Sequence, residues 1–238
     1  MKKLKDYYQI FSCFFFSLLG YQIKLELLTN SIENIVFYRS FFGTFLLLIF
    51  FFFNIKESFT KVFFSSILAF IAFKEKISYL VFFLLLIGFI GVILISEPQN
   101  FNNNLGLYMA LFSALCVSGG IISISYLSKH DNTKKILLYH SFISTVIFFS
   151  IFNETITFNF SNIQDYFMIT ITAVIGQYFN TESYKDNPTN KVMILSYSRI
   201  IFSTALGFFL LNESLSILNI LGIVIIIFTS FMITKRKN

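Results

Sequence analysis

Eight polar side chains sit in stretches otherwise dominated by Phe, Ile and Leu: Tyr38, Arg39, Tyr139, His140, Gln177, Asn180, Tyr197 and Arg199. Charged and amide groups inside apolar spans are costly to desolvate, so each is a candidate for contact with a polar molecule that enters. Their chemistry is that of recognition. Catalysis at a membrane face calls for clustered His, Asp or Glu, and the two histidines, His130 and His140, have no such company. Cys13 and Cys116 each lie in an apolar run and form no CxxC pair. No metal, no cofactor and no catalytic residue is therefore expected.

Each candidate has two readings. Arg199 lies eight residues into the apolar stretch 191–211, about 12 Å along a helix axis and too deep for easy snorkelling. It either faces a cavity, where it would meet a substrate carboxylate or phosphate, or forms a buried pair with Glu182, the nearest obvious anion. Arg39 and His140 each stand about five residues into their stretches and either line the same cavity or snorkel to headgroups. The ordinary titration range of His140 would also suit proton coupling. Tyr38, Tyr139 and Tyr197 either stack on a flat substrate or sit at the interfacial belt. Gln177 and Asn180 either bind substrate or join helices, and Ser118, Gly119 and Gly120 allow a bend or close packing.

The elements that must position these residues are membrane helices. Hydrophobic residues make up 56% of the chain and charged residues 13%, roughly half the usual charged share. That composition is polytopic. The net charge of +6 lies mostly in short loops and at the two ends, a pattern that orients helices in a bilayer and argues against a nucleic-acid partner. The start, MKKLKDYYQIFSCFFFSLLG, imitates a secretory signal but lacks a small-residue cleavage site, so it reads as a retained first helix. A spanning helix needs about 20 apolar residues. Full spans are predicted at 8–27, 34–53, 79–95, 105–127, 135–152, 163–181, 191–211 and 216–233, with a ninth, short piece at 62–73.

Loop charges give the direction. Lys129, Lys134 and Lys135, then Lys185 and Lys191, then Lys235, Arg236 and Lys237 alternate with lysine-free loops at 96–104, 153–165 and 212–216. The positive-inside rule then makes the C-terminus cytoplasmic, after five crossings in the second half. In the first half, Lys2, Lys3, Lys5 and Lys56 ask for the same side as Lys74 and Lys76. The piece at 62–73 is only about 18 Å long as a helix, so it either dips in and comes back out or crosses under strain and forces Lys2–Lys5 outward; a short membrane helix that does not span is the favoured expectation.

The spans also repeat. FYRSFFGT at 37–44 falls on LYHSFIST at 138–145 with an offset of 101, and 60–78 falls on 198–216 with an offset of 138. The first copy is thus 37 residues shorter, with the gap near 54–59. Duplication within an apolar chain is a signature of transporters built from inverted repeats.

These stretches resemble the EamA repeat of the drug/metabolite transporter superfamily. The matching residues are FYRSFFGTFLLL, SFTKVFFSSILAFIAFKEKIS and LLLIGFIGVILI in the first copy, and GQYFNTESYKDNPTNKVMILSYSRIIFSTALGFFLLNESLS in the second. The resemblance implies ten helices in two five-helix repeats around a central cavity, with the third helix and half of the fourth missing here between Lys56 and Thr60. The expected fold is an all-α polytopic membrane protein with two inverted EamA-like helical repeats, at 1–99 and 105–238. It would have eight full spans plus one short membrane helix, nine helices in all. The implied function is secondary transport of a small organic metabolite, in the amino-acid, nucleoside or adenosyl-compound range, across the bacterial inner membrane. The alternative is a transport-incompetent relic, or an assembly partner of a second copy or full-length paralogue. Expected partners are the small-molecule substrate and the lipid bilayer.

Overall fold

The computed structural model describes residues 7–51, 78–96, 104–157 and 162–235. Its elements are α1 (Tyr8–Glu26), α2 (Ile32–Phe51), α3 (Tyr79–Ser96), α4 (Asn104–His130), α5 (Thr133–Phe152), α6 (Ile163–Asp186), α7 (Thr189–Ser196), α8 (Ser198–Leu211) and α9 (Ile217–Lys235). No strand occurs among the described residues. The short piece at 62–73, the loop lysines Lys56, Lys74 and Lys76, and Lys2, Lys3 and Lys5 lie outside them.

Boundaries follow local chemistry. The Asn132 side chain accepts a bond from the Lys134 N–H at 3.1 Å and starts α5. Asn187 is extended because Pro188 follows it, and α6 ends there. Asn212 closes α8 in the left-handed conformation at φ 54°, which asparagine tolerates better than most residues. The predicted continuous span 191–211 is interrupted at Tyr197. Bonds from Tyr197 N–H to Ile194 O (3.2 Å) and from Ile200 N–H to Tyr197 O (3.0 Å) tighten the chain there into i→i−3 turns.

Burial is inside out relative to a water-soluble protein. Ser12, Ser125, Ser128, Thr170, Ser183 and Thr229 are 0% exposed, whereas Phe112, Phe209 and Phe231 are 66%, 76% and 60% exposed. Small hydroxyl residues between helices and large apolar ones outside are what a lipid solvent selects. Among the described residues, three helical runs, Ile32–Ile49, Thr133–Phe152 and the combined α7–α8 run Thr189–Leu211, are long and apolar enough to cross a membrane, and Tyr79–Ile95 and Ile217–Ile233 are shorter apolar helices. The chain is an α-helical, multi-pass membrane protein.

Two antiparallel pairs frame it. In α2 and α5, Phe37 meets Phe149 at one end with ring centroids 5.9 Å apart, and Leu47 clusters with Leu137 and Leu138 at the other. Between them the Thr44 and Thr145 hydroxyls are 3.3 Å apart. Each also donates to the carbonyl four residues back, Thr44 to Ser40 and Thr145 to Ser141. In α3 and α9, Gly91 and Gly222 let the backbones touch, and Asn219 donates to Ile95 O at 2.9 Å.

A third contact set gathers α6, α7 and α8 around α1. Ser12 donates to Gly176 O (2.9 Å) and Ser17 to Arg199 O (2.7 Å). Gly176 lets Phe15 and Phe16 approach, since a Cβ there would lie 3.3–3.4 Å from them.

Candidate functional site

A cavity of about 550 Å³ opens where α1, α4, α5, α6, α7 and α8 converge. On α6, Gln177, Asn180, Thr181 and Tyr184 recur at helical spacing and form a polar stripe. On α4, Val117, Gly120, Ile121 and Ile124 recur in the same way as an apolar stripe. Ile136, Leu137 and His140 come from α5, Gln9, Cys13 and Phe16 from α1, Ser196 from α7, and Arg199 and Ile200 from α8.

Hydrogen bonding separates these residues into two classes. Gln9 is 3% exposed and fully engaged: its amide donates to Ser196 Oγ (2.7 Å) and accepts from Ser183 Oγ (2.7 Å). Cys13 Sγ lies 3.7 Å from the carbonyls of both Leu195 and Ser196. These groups hold α1 to α6 and to the tightened turn. The second class is Arg199, His140, Gln177 and Asn180. Their side chains make no hydrogen bond or ion pair with any other described residue, and they border the cavity.

Arg199 and His140 are exposed, and both border this cavity. The Arg199 guanidinium lies over the Phe16 ring, 4.9 Å from its centroid, a cation–π contact that orients the charge without neutralising it. The pair with Glu182 is not formed. Glu182 instead accepts from the Thr133 hydroxyl and lies 3.6 Å from Lys185 Nζ. Glu213 borders a neighbouring hollow of about 380 Å³ that Arg199 and Ile200 share, but its carboxylate is 2.5 Å from Lys24 Nζ. Among the described residues, no Asp or Glu lines the main cavity.

The other four candidates lie elsewhere. Tyr38 is 5% exposed, stacks on Tyr166 at 4.7 Å and donates to Thr157 O at 3.1 Å. Tyr139 packs beside Leu127 and Ile136. Tyr197, two residues from Arg199, turns the opposite way: its ring lies against Gly88 and its hydroxyl donates to Leu85 O at 3.3 Å. Arg39 does not border the described wall. Gly120 proves open, since a Cβ there would meet nothing within 4 Å. The residues not anticipated are Gln9, Cys13, Phe16, Thr181, Tyr184 and Ser196. Gln9 carries the same signal that selected Gln177, an amide in an apolar span.

Among the described residues no group of three or more His, Cys, Asp or Glu could hold a metal. The arrangement suits reversible binding of a small molecule within the membrane.

Comparison with known proteins agrees. The chain is 25% identical over 169 residues to an uncharacterized transporter of Helicobacter pylori (strain ATCC 700392 / 26695), covering 67% of this chain and 57% of that protein. It is 23% identical over 168 residues to the pseudopaline exporter CntI of Pseudomonas aeruginosa (strain PAO1), covering 68% and 58%. The chain thus spans less than two thirds of the length of these relatives. Residues 104–235, which run from α4 through α9, match the EamA-like transporter family. By that match, over more than half its length, the chain belongs to the EamA-like transporter family.

Proposed function

We propose that the chain is a secondary transporter that carries a small organic metabolite across the bacterial inner membrane through this cavity. The observation that carries the proposal is the set of four unengaged polar side chains, Arg199, His140, Gln177 and Asn180, on one membrane cavity. Polar groups whose bonds are complete hold a fold together; those left open toward a cavity await a ligand. An amino acid, nucleoside or adenosyl compound would fit the volume. The sequence carries no P-loop, so the energy would come from an ion or exchange gradient.

Alternating access requires two repeats that rock against each other. An inverted arrangement of 1–99 and 105–238 is supported by the meeting of Thr44 and Thr145, which are repeat equivalents, with equivalent back-bonds on antiparallel helices. The loop lysines favour a cytoplasmic C-terminus.

The 37-residue shortfall in the first copy favours a second reading, a protein that folds without transporting or that works beside a second copy or paralogue. Proteoliposomes preloaded with a metabolite extract and assayed for exchange separate the two. Exchange above empty liposomes supports transport; its absence from a monodisperse preparation supports the second reading.

A further inference from the structure

We propose that the cavity takes an amphipathic organic anion, its carboxylate or phosphate monoester held by Arg199 and its apolar body laid against α4. The proposal rests on the transporter reading above and names the class of cargo.

Arginine stays protonated under all ordinary conditions, and a cation within a membrane span is expensive without compensation. Among the described residues no carboxylate supplies that compensation. The nearby carboxylates Glu182 and Glu213 are held by Thr133 with Lys185 and by Lys24 respectively, and no described Asp or Glu borders the cavity. An entering anion would supply it. A carboxylate or phosphate matches the planar fork of a guanidinium through paired N–H bonds. Phe16 beneath that fork limits its orientation.

The amides of Gln177 and Asn180 lie on the same polar wall, one helical turn apart on α6, and offer both donors and acceptors. The facing stripe of Val117, Ile121 and Ile124 offers no polar atom beyond the helix backbone. A ligand that satisfies both walls has one charged end and one apolar end. A cationic cargo would bring a like charge to Arg199 with no carboxylate on the described wall to receive it. A wholly polar one would leave the α4 stripe without a complement.

The test uses the full chain in nanodiscs of zwitterionic lipid and calorimetric titration with four probes: phenylacetate, phenyl phosphate, phenylacetamide and phenethylamine. At least one of the two acids is expected to bind tenfold or more tighter than the amide and the amine. Which acid it is distinguishes a carboxylate from a phosphate cargo. Arg199→Gln, checked for monodispersity, is expected to erase the preference. Gln177→Ala removes a side chain that joins no helices, so it should fold even if Arg199→Gln does not; it is expected to weaken the acid at least threefold. Equal binding of amide or amine, acid preference that survives Arg199→Gln, or no binding by any probe would overturn the proposal. Exchange of neutral or cationic metabolites in proteoliposomes would overturn the anion assignment while leaving the transporter reading standing.

Discussion

Adding one methyl group to Gly222 should loosen the α3–α9 pair, whereas the same methyl on Gly120 should not disturb the fold. At Gly222 the new Cβ would lie 2.6 Å from Gly91 O, 2.6 Å from Ile95 Cγ1 and 3.2 Å from Ile95 N. Two of these atoms are backbone and cannot swing aside, so the helices must separate and strain the Asn219–Ile95 bond. Contacts this short, two of them against backbone, fall in the upper part of the overpacking range, about 2–3 kcal/mol. Alanine's better helix propensity returns up to about 1 kcal/mol. The net expectation for Gly222→Ala is a loss of about 1–2 kcal/mol. At Gly120 nothing lies within 4 Å, so only the propensity term acts, and Gly120→Ala should be neutral or stabilising by up to about 1 kcal/mol. Unfolding free energies in mixed micelles titrated with SDS, followed by helical circular dichroism, measure both. Gly222→Ala within about 0.5 kcal/mol of wild type, or Gly120→Ala as damaging as Gly222→Ala, would refute the packing argument.

Three further outcomes are expected. Gln9→Leu removes the bonds to Ser183 and Ser196 and should cost about 1 kcal/mol by the same assay, since bonds between membrane helices average about 0.6 kcal/mol each. Lys24 and Glu213 are 60% and 51% exposed, so a double-mutant cycle with Lys24→Met and Glu213→Gln should give a coupling below about 1 kcal/mol that shrinks in high salt. Cys13, 1% exposed, should resist maleimide in the folded protein and react after SDS denaturation, read by mass spectrometry; labelling of the native protein would contradict its burial.

Helices were legible because length and hydropathy decide them in a bilayer: the predicted spans 8–27 and 163–181 became Tyr8–Glu26 and Ile163–Asp186. The break at Tyr197 was not, because no Gly or Pro occurs between 189 and 206 to announce it, and the turn is tightened through hydrogen bonds that composition does not encode. The same turn explains why Tyr197 faces α3 while Arg199 borders the cavity. Of the polar residues proposed from the sequence, half border the candidate cavity. The cost of burying charge singled out Arg199, His140, Gln177 and Asn180, but it cannot tell an amide or phenol with a partner from one without, and Tyr38 has one in Thr157. The apolar wall was invisible, since nothing in the sequence separates Val117, Ile121 and Ile124 from the other apolar residues of their span.

The most direct test of the central claim, that this cavity is the transport site, is to fill it without disturbing the fold. Because a Cβ on Gly120 meets nothing within 4 Å, Gly120→Leu sends its side chain into the cavity with little strain. In proteoliposomes loaded with a metabolite extract, wild type should exchange solute, and Gly120→Leu should lose that exchange while keeping wild-type thermal stability. Undiminished exchange by a stably folded Gly120→Leu variant would contradict the account.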